Sequence, residues 1–223
     1  MKYYPINLDV RNKNCLVVGG GTVGTRKVLT LLQCRAVVTI ISPEVTEKLD
    51  ELALSGSVKL INRGYASKDL QGMFLVISAS DNNKVNQLVY EDAAALNILC
   101  NIADIPDACN FTLPSVISRG DLTISVSTSG KSPALSRKLR IDLEKIFGKE
   151  YSESLKLMGA IRTKLLKQSH APDSHRHLFR KLLDKGLIEM IKNGDTQAVN
   201  DLLFAVFGKG YTCETLMKIE SKQ

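Results

Sequence analysis

An unbroken apolar run, Cys15 to Val18, leads straight into Gly19-Gly-Gly-Thr-Val-Gly24, and that junction restricts this chain more than any other stretch. The glycines fit G-x-G-x-x-G at Gly19, Gly21 and Gly24, and Val23, Val28, Leu31 and Leu32 follow at helical spacing. Strand, glycine turn and helix in that order predict the first βα unit of a dinucleotide-binding fold. Gly19 permits the tight turn, Gly21 lets a pyrophosphate approach the backbone, and Gly24 lets the helix pack close to the strand. The competing interpretation is a glycine turn that binds nothing; the complete strand–turn–helix order favours a nucleotide.

The pattern continues as alternating strands and helices. A lead-in strand is expected over Tyr3–Leu8, then strands over 15–18, 36–41, 58–62, 74–78 and 98–103, with helices over 23–34 and 46–54 and another beginning near Asp81. Near-continuous β-branched residues such as Val37-Val-Thr-Ile-Ile41 mark strands buried on both faces of a parallel sheet. This alternation with short connections predicts an α/β, doubly wound domain over residues 1–109. Ligands of such sheets sit beyond the C-terminal strand ends, so the loops after residues 18, 41, 78 and 103 form the expected mouth. Asp104 falls there, with Asp107 on the same loop and Asp81 on another. A carboxylate at such a mouth serves as general acid or base, or simply caps its own turn beside Pro106. Glu44 is the acid placed to reach an adenosine ribose, and no arginine accompanies it for a 2′-phosphate, so NAD is favoured over NADP.

After residue 109 the pattern changes. Asn110–Ser118 and Asp121–Thr128 alternate apolar and polar residues around an Arg119-Gly-Asp turn, as a two-stranded ribbon does. Such a ribbon is marginal alone, so residues 110–148 are expected to form a dimerisation segment, including a helix from Ser132-Pro133 to about Phe147. Residues 149–223 read as a helical domain, with helices over 150–168, 174–185, 187–193 and 195–207 before a frayed tail. Ser169–Ser174 is the clearest internal linker.

The net charge of +7 points to an anionic partner. Only 5% of residues are aromatic, tryptophan is absent and no nucleic-acid-binding motif is present, so nucleic acid is not expected. No stretch is apolar enough for a membrane span or a signal peptide. Five cysteines without a C-x-x-C pair suggest reduced thiols and a cytoplasmic protein. Ser129-Gly-Lys-Ser132 resembles the end of a phosphate-binding loop, but Ser125 stands where that loop requires glycine. Lys131, Arg137 and Arg140, with Arg119 as a further candidate, instead offer positive charge near a helix N-terminus for carboxylates. His170, His175 and His177 cluster without a convincing third ligand, so no metal site is expected.

Four stretches together carry a family resemblance: Val17–Lys27, Asn101-Ile-Ala-Asp104, Cys109-Asn-Phe-Thr-Leu-Pro114 and Ser127–Arg137. They are similar to the precorrin-2 dehydrogenase and sirohydrochlorin ferrochelatase module of the siroheme synthase family. The resemblance implies a homodimer that oxidises precorrin-2 to sirohydrochlorin with NAD⁺, with Fe²⁺ as a further substrate where relatives also chelate. By position it implies cofactor contacts at Thr22, Val23, Pro43 and Glu44, a catalytic role for Asp104, and a tetrapyrrole-facing Ser127. A substrate with eight carboxylates also accounts for the basic balance, with Lys131, Arg119 and Arg137 as the candidate contacts read from the chain. Gly24 stands where relatives often have alanine, a departure expected to be harmless to nucleotide binding. The chain stops without the methyltransferase domain that some relatives append, so methylation is expected to come from another protein. The alternative of another class is a non-catalytic NAD-sensing module that acts through assembly.

Overall fold

The computed structural model describes residues 2–103, 109–167 and 175–220. The chain divides into two compact units, residues 1–113 and 114–223.

The first unit is built on a five-stranded parallel sheet in the order β3-β2-β1-β4-β5. Its strands are β1 (Asn14–Gly20), β2 (Val37–Val45), β3 (Lys59–Ile61), β4 (Leu75–Ser78) and β5 (Leu99–Ile102). Helices α1 (Thr22–Gln33), α2 (Glu47–Leu54) and α3 (Asn83–Ala95) connect them, with a 3₁₀ turn at Ser67–Leu70 before β4. The central strand is buried from Cys15 to Gly20, and its side chains alternate between two cores. Cys15 and Val17 join Val28, Ile40, Leu49 and Ile77 on one face. Leu16 and Val18 join Ile41, Val76, Val89 and Ile102 on the other. A parallel sheet covered on both faces requires this two-sided apolar content.

Two expectations for this unit need correction. Residues 3–8 form no strand; Tyr4, Ile6 and Leu8 are exposed, and no neighbouring strand offers them a ladder. Strand β2 does not stop at Ile41 but continues through Pro43 to Val45, across a register irregularity opposite Val18–Gly20. At this irregularity the Ser42 hydroxyl ties the two strands together, accepting from Gly20 N at 2.9 Å and donating to Glu44 O of its own strand at 2.5 Å.

The second unit opens with an antiparallel ribbon, β6 (Ser115–Arg119) and β7 (Leu122–Val126). Its two-residue turn has Gly120 at φ +59°, the left-handed conformation that such hairpins need at the first central position. The ribbon starts at Ser115, not at Asn110, because Asn110 is bonded back to β5. Helix α4 (Pro133–Ile146) packs on both ribbon strands, with the Ser132 hydroxyl accepting from Leu135 N at 3.2 Å. Helices α5 (Glu150–Lys167), α6 (Arg176–Asp184), α7 (Leu187–Lys192), α8 (Thr196–Phe207) and α9 (Cys213–Glu220) complete the unit. Their core includes Leu157, Ile161, Leu182, Leu187, Leu203 and Leu216. Where a frayed tail was expected, Cys213 N donates to Asn200 Oδ1 at 2.8 Å and buries the start of a regular helix. No helix among the described residues is long and apolar enough to cross a membrane.

In the first unit, Arg63 and Asp69 form a two-pronged ion pair at 2.6 and 2.7 Å, and Asp69 also accepts from Ala66 N at 2.9 Å. The guanidinium holds the Asp69 carboxyl below its ordinary value. Because the folded pKa lies below the unfolded one, about 4, the pair stabilises fully at neutral pH and its contribution is lost as pH falls below that value. Asp69→Asn is therefore expected to lower the thermal midpoint at pH 7, and the difference from wild type is expected to shrink as pH falls below about 4 and through the folded pKa. Thermal unfolding over an acid pH series measures the difference.

Candidate functional site

The turn from β1 into α1 uses each glycine for a different physical reason. Gly19 has φ +105°, and a side chain there would press into Ala79 O at 2.5 Å. The turn is thereby held against the end of β4, with Ala79 N donating to Val18 O at 2.7 Å. A Cβ on Gly24 would overlap Gly19 O, so the helix rests directly on the turn. Gly21 is the opposite case. It is the N-cap of α1, exposed, with nothing within 4 Å of where a Cβ would stand.

Helix α1 has no side-chain cap and no acid in its first turn. Its first N–H groups and the positive end of its dipole therefore face open space beside Gly21. The amides of Thr22 and Val23 lie in this opening, which fits a pyrophosphate in both charge and clearance. The starts of α3 and α4, by contrast, are capped: Asn82 Oδ1 accepts from Lys84 N and Val85 N, and the Ser132 hydroxyl accepts from Leu135 N.

The loop after β2 lies directly alongside. Gly20 pairs with Val45 in register, Thr46 N donates to Gly20 O at 3.0 Å, and the Thr25 and Thr46 hydroxyls meet at 2.8 Å. Pro43 and Glu44 are exposed at this edge, so the structure groups them with Gly19, Gly21, Thr22, Val23 and Gly24. Sequence reasoning missed Gly20 and Ser42. A Cβ on Gly20 would overlap Val45 Cγ1 and meet Glu44 O at 2.6 Å, while buried Ser42 locks the same contact. The signal was available in three successive glycines and in a serine placed before proline at a strand end.

Asp104 and Asp107 lie outside the described residues, as does His170. On either side of 104–108, Ala103 N donates to Ser78 O at 2.8 Å, and Cys109 and Asn110 return to β5. Asp81 is exposed beside the Asn82 cap.

In the second unit, Ser127, Lys131 and Arg137 are exposed around the loop into α4 and its first turns. The loop is tied by Thr128, whose hydroxyl bonds both Ser132 O and Ser132 N, and it passes through left-handed Ser129 and Gly130. Arg119 does not join this group. Its guanidinium donates to Phe147 O at 2.8 Å, Ser118 O at 2.9 Å and Glu144 O at 3.4 Å, closing the C-terminus of α4. At about 1.5 Å per residue the 14-residue helix puts roughly 20 Å between that end and Lys131. Arg140 is paired with Glu144 at 2.5 Å. His175 is buried while His177 is exposed, so the two do not converge. No group of three metal-ligating side chains occurs among the described residues. None of the five cysteines is in a disulfide, and burial pushes the Cys15 thiol up to about 11 and Cys100 to about 12. Both therefore pack as neutral core residues.

A family described as "Putative NAD(P)-binding" matches residues 6–115, and one described as "Sirohaem biosynthesis protein central" matches residues 119–146. Siroheme synthase from Pseudoalteromonas translucida is 36% identical over 203 residues, 91% of this chain and 43% of that protein. Siroheme synthase from Nitrosococcus oceani is 34% identical over 214 residues, 96% of this chain and 46% of that protein. Along most of its length the chain is similar to these siroheme synthases. It spans less than half the length of these curated relatives. Among solved structures, SirC, a precorrin-2 dehydrogenase, superposes with a TM-score of 0.73 at 25% identity. That match covers 89% of this chain and all of the SirC chain.

Gly24 and Gly21 make separable predictions. Gly24→Ala must shift the turn and is expected to cost about 1–3 kcal/mol, read by denaturant unfolding. Gly21→Ala is expected to keep wild-type stability while weakening NAD⁺ binding by at least about tenfold in calorimetric titration, about 1.4 kcal/mol. Alanine at this position needs a wider turn than this chain has. Arg119→Ala is expected to lower stability by about 1 kcal/mol through the lost helix closure.

Proposed function

We propose that this chain is an NAD⁺-dependent dehydrogenase that oxidises precorrin-2 to sirohydrochlorin. The observation that carries the proposal is the open, uncapped start of α1 at Gly21 beside Glu44. It is supported by the match to a precorrin-2 dehydrogenase over that protein's full length. Glu44, exposed at the end of β2 with no arginine beside it in sequence, suits a free ribose and hence NAD⁺ over NADP⁺.

NAD⁺, held at the start of α1, would supply the hydride acceptor for oxidation of the tetrapyrrole, which would also lose one proton. The chain supplies the remaining requirements. The α1 amides hold the pyrophosphate, and Gly19 and Gly20 keep the turn tight enough for those amides to converge. Asp104, next after the residue that ties β5 to β4, takes the departing proton as general base. Ser127, Lys131 and Arg137 meet the carboxylates of the substrate. The exposed apolar side chains of the ribbon and α4, Val116, Leu135, Leu139 and Ile146, are covered in a homodimer. Residues 110–148 act as the dimerisation segment between the Rossmann and helical parts, and the protein works in the cytoplasm. Fe²⁺ insertion into sirohydrochlorin is a second reaction open to the same site, with Asp104 relaying the protons that leave the pyrrole nitrogens.

Anaerobic incubation with precorrin-2 and NAD⁺, followed by absorbance, tests the oxidation directly; no sirohydrochlorin at any enzyme concentration overturns it. Asp104→Ala is expected to bind NAD⁺ normally and to lose about 100-fold or more in turnover, the range of a general base. Wild-type turnover in that variant removes Asp104 from the mechanism. Addition of Fe²⁺ to sirohydrochlorin decides the chelation.

A further inference from the structure

The buried polar side chains described in the first unit gather at one edge of it. They are Ser42, Ser78, Asn86 and Asn101, each at most 9% exposed; three lie near the C-terminal ends of strands and Asn86 lies near the start of α3. Ser42 ties β2 to β1, and Asn101 Nδ2 donates to Phe111 O at 3.0 Å. Ser78 and Asn86 bind each other. The hydroxyl at the last residue of β4 donates to Asn86 Oδ1 at 2.7 Å, and Asn86 Nδ2 donates onward to Ser80 O at 2.9 Å. These two bonds straddle Ala79. That residue is held from the other side by its N–H on Val18 O at 2.7 Å, and its carbonyl is what leaves Gly19 no room for a side chain.

We infer that Asn86 is a positioning residue for the cofactor: through Ser78 and Ser80 it fixes the end of β4 as the wall that meets the nicotinamide half of NAD⁺. This rests on the cofactor reading given above. The strand order puts the topological switch point between β1 and β4, and a dinucleotide lies across such a crevice. Glu44 on the β2 side suits the adenosine ribose and the α1 amides suit the pyrophosphate, so the remaining half falls to the β4 side, at Ala79 and Ser80. As a purely structural choice Asn86 is costly. It shares a helix face with Val89 and Ala93, three and seven residues on, which are fully buried in an apolar core. Asparagine is a weak helix former, and its buried amide must find partners. Leucine at 86 with alanine at 78 would leave that face with nothing polar to satisfy. Nor does α3 need Asn86 for its start, because Asn82 already caps it. What Asn86 adds is one bond to the strand and one to the loop, which fix the path of the chain past Gly19. The Ser80 hydroxyl extends that path by accepting from Asn82 N at 3.2 Å.

The test compares NAD⁺ with ADP, which carries the adenosine and both phosphates but no nicotinamide half, by calorimetric titration of the full chain. In the double variant Ser78→Ala/Asn86→Leu the polar pair gives way to apolar groups, so the thermal midpoint is expected to hold or rise. The Kd for NAD⁺ is expected to rise about tenfold while the Kd for ADP stays within about twofold of wild type. A pair that serves only the fold moves both ligands together. Any result without that split, whether unchanged affinities or equal losses for NAD⁺ and ADP, overturns the inference and leaves the cofactor reading intact. A wild-type chain that does not bind NAD⁺ overturns the cofactor reading and this inference with it. Should the double variant fail to fold, Asn86→Asp takes its place: its carboxylate still accepts from Ser78 but cannot donate to Ser80 O. The same split between NAD⁺ and ADP is expected there, and its absence overturns the inference.

Discussion

The Rossmann unit depends on one close approach: the backbone of Gly24 lying on the carbonyl of Gly19, which itself lies against Ala79. No side chain fits at either contact, so three elements meet through main chain alone. The approach draws α1 onto β1 and β1 onto β4, and it aims the amides of the helix at the mouth of the sheet. A single added methyl group between helix and turn separates all three. The sheet's order and both its apolar faces follow from where this junction puts the central strand.

The fold was readable where periodicity and local chemistry agreed. The run Cys15–Val18, the spacing of α1 and the alternation of ribbon residues each named their own element, because burial on two faces, one face or alternate faces writes a different pattern. The errors have local causes. Pro43 reads as a strand terminator, yet β2 runs on past it to Val45, with the Ser42 hydroxyl accepting from Gly20 N of β1. Asn110-Phe-Thr-Leu reads as strand by alternation, yet the Asn110 amide finds its partners on β5 ten residues back, which no short window detects. Tyr3–Leu8 has strand composition and no neighbour to pair with.

The candidate site was readable in unequal parts. Glycines declare the cofactor turn because only the absence of a side chain allows those contacts. Basic residues do not declare their purpose in the same way. Arg119 and Lys131 look alike in sequence, but one guanidinium closes the carbonyl end of α4 and the other cation projects from the far end of that helix. Charge marks a region as a candidate; the geometry of its partners decides what it does.

The bonds made by Asn110 and Asn101 carry a consequence for association. Strand β5 is the last of its sheet, and an outer strand with unpaired amides is an open template for another chain. Here the chain's own side chains occupy that template along Ile98–Asn101. At the opposite border, β3 is three residues long and begins with exposed Lys59. Neither border invites a foreign strand, so copies of this protein can be crowded together without this sheet growing from one molecule into the next.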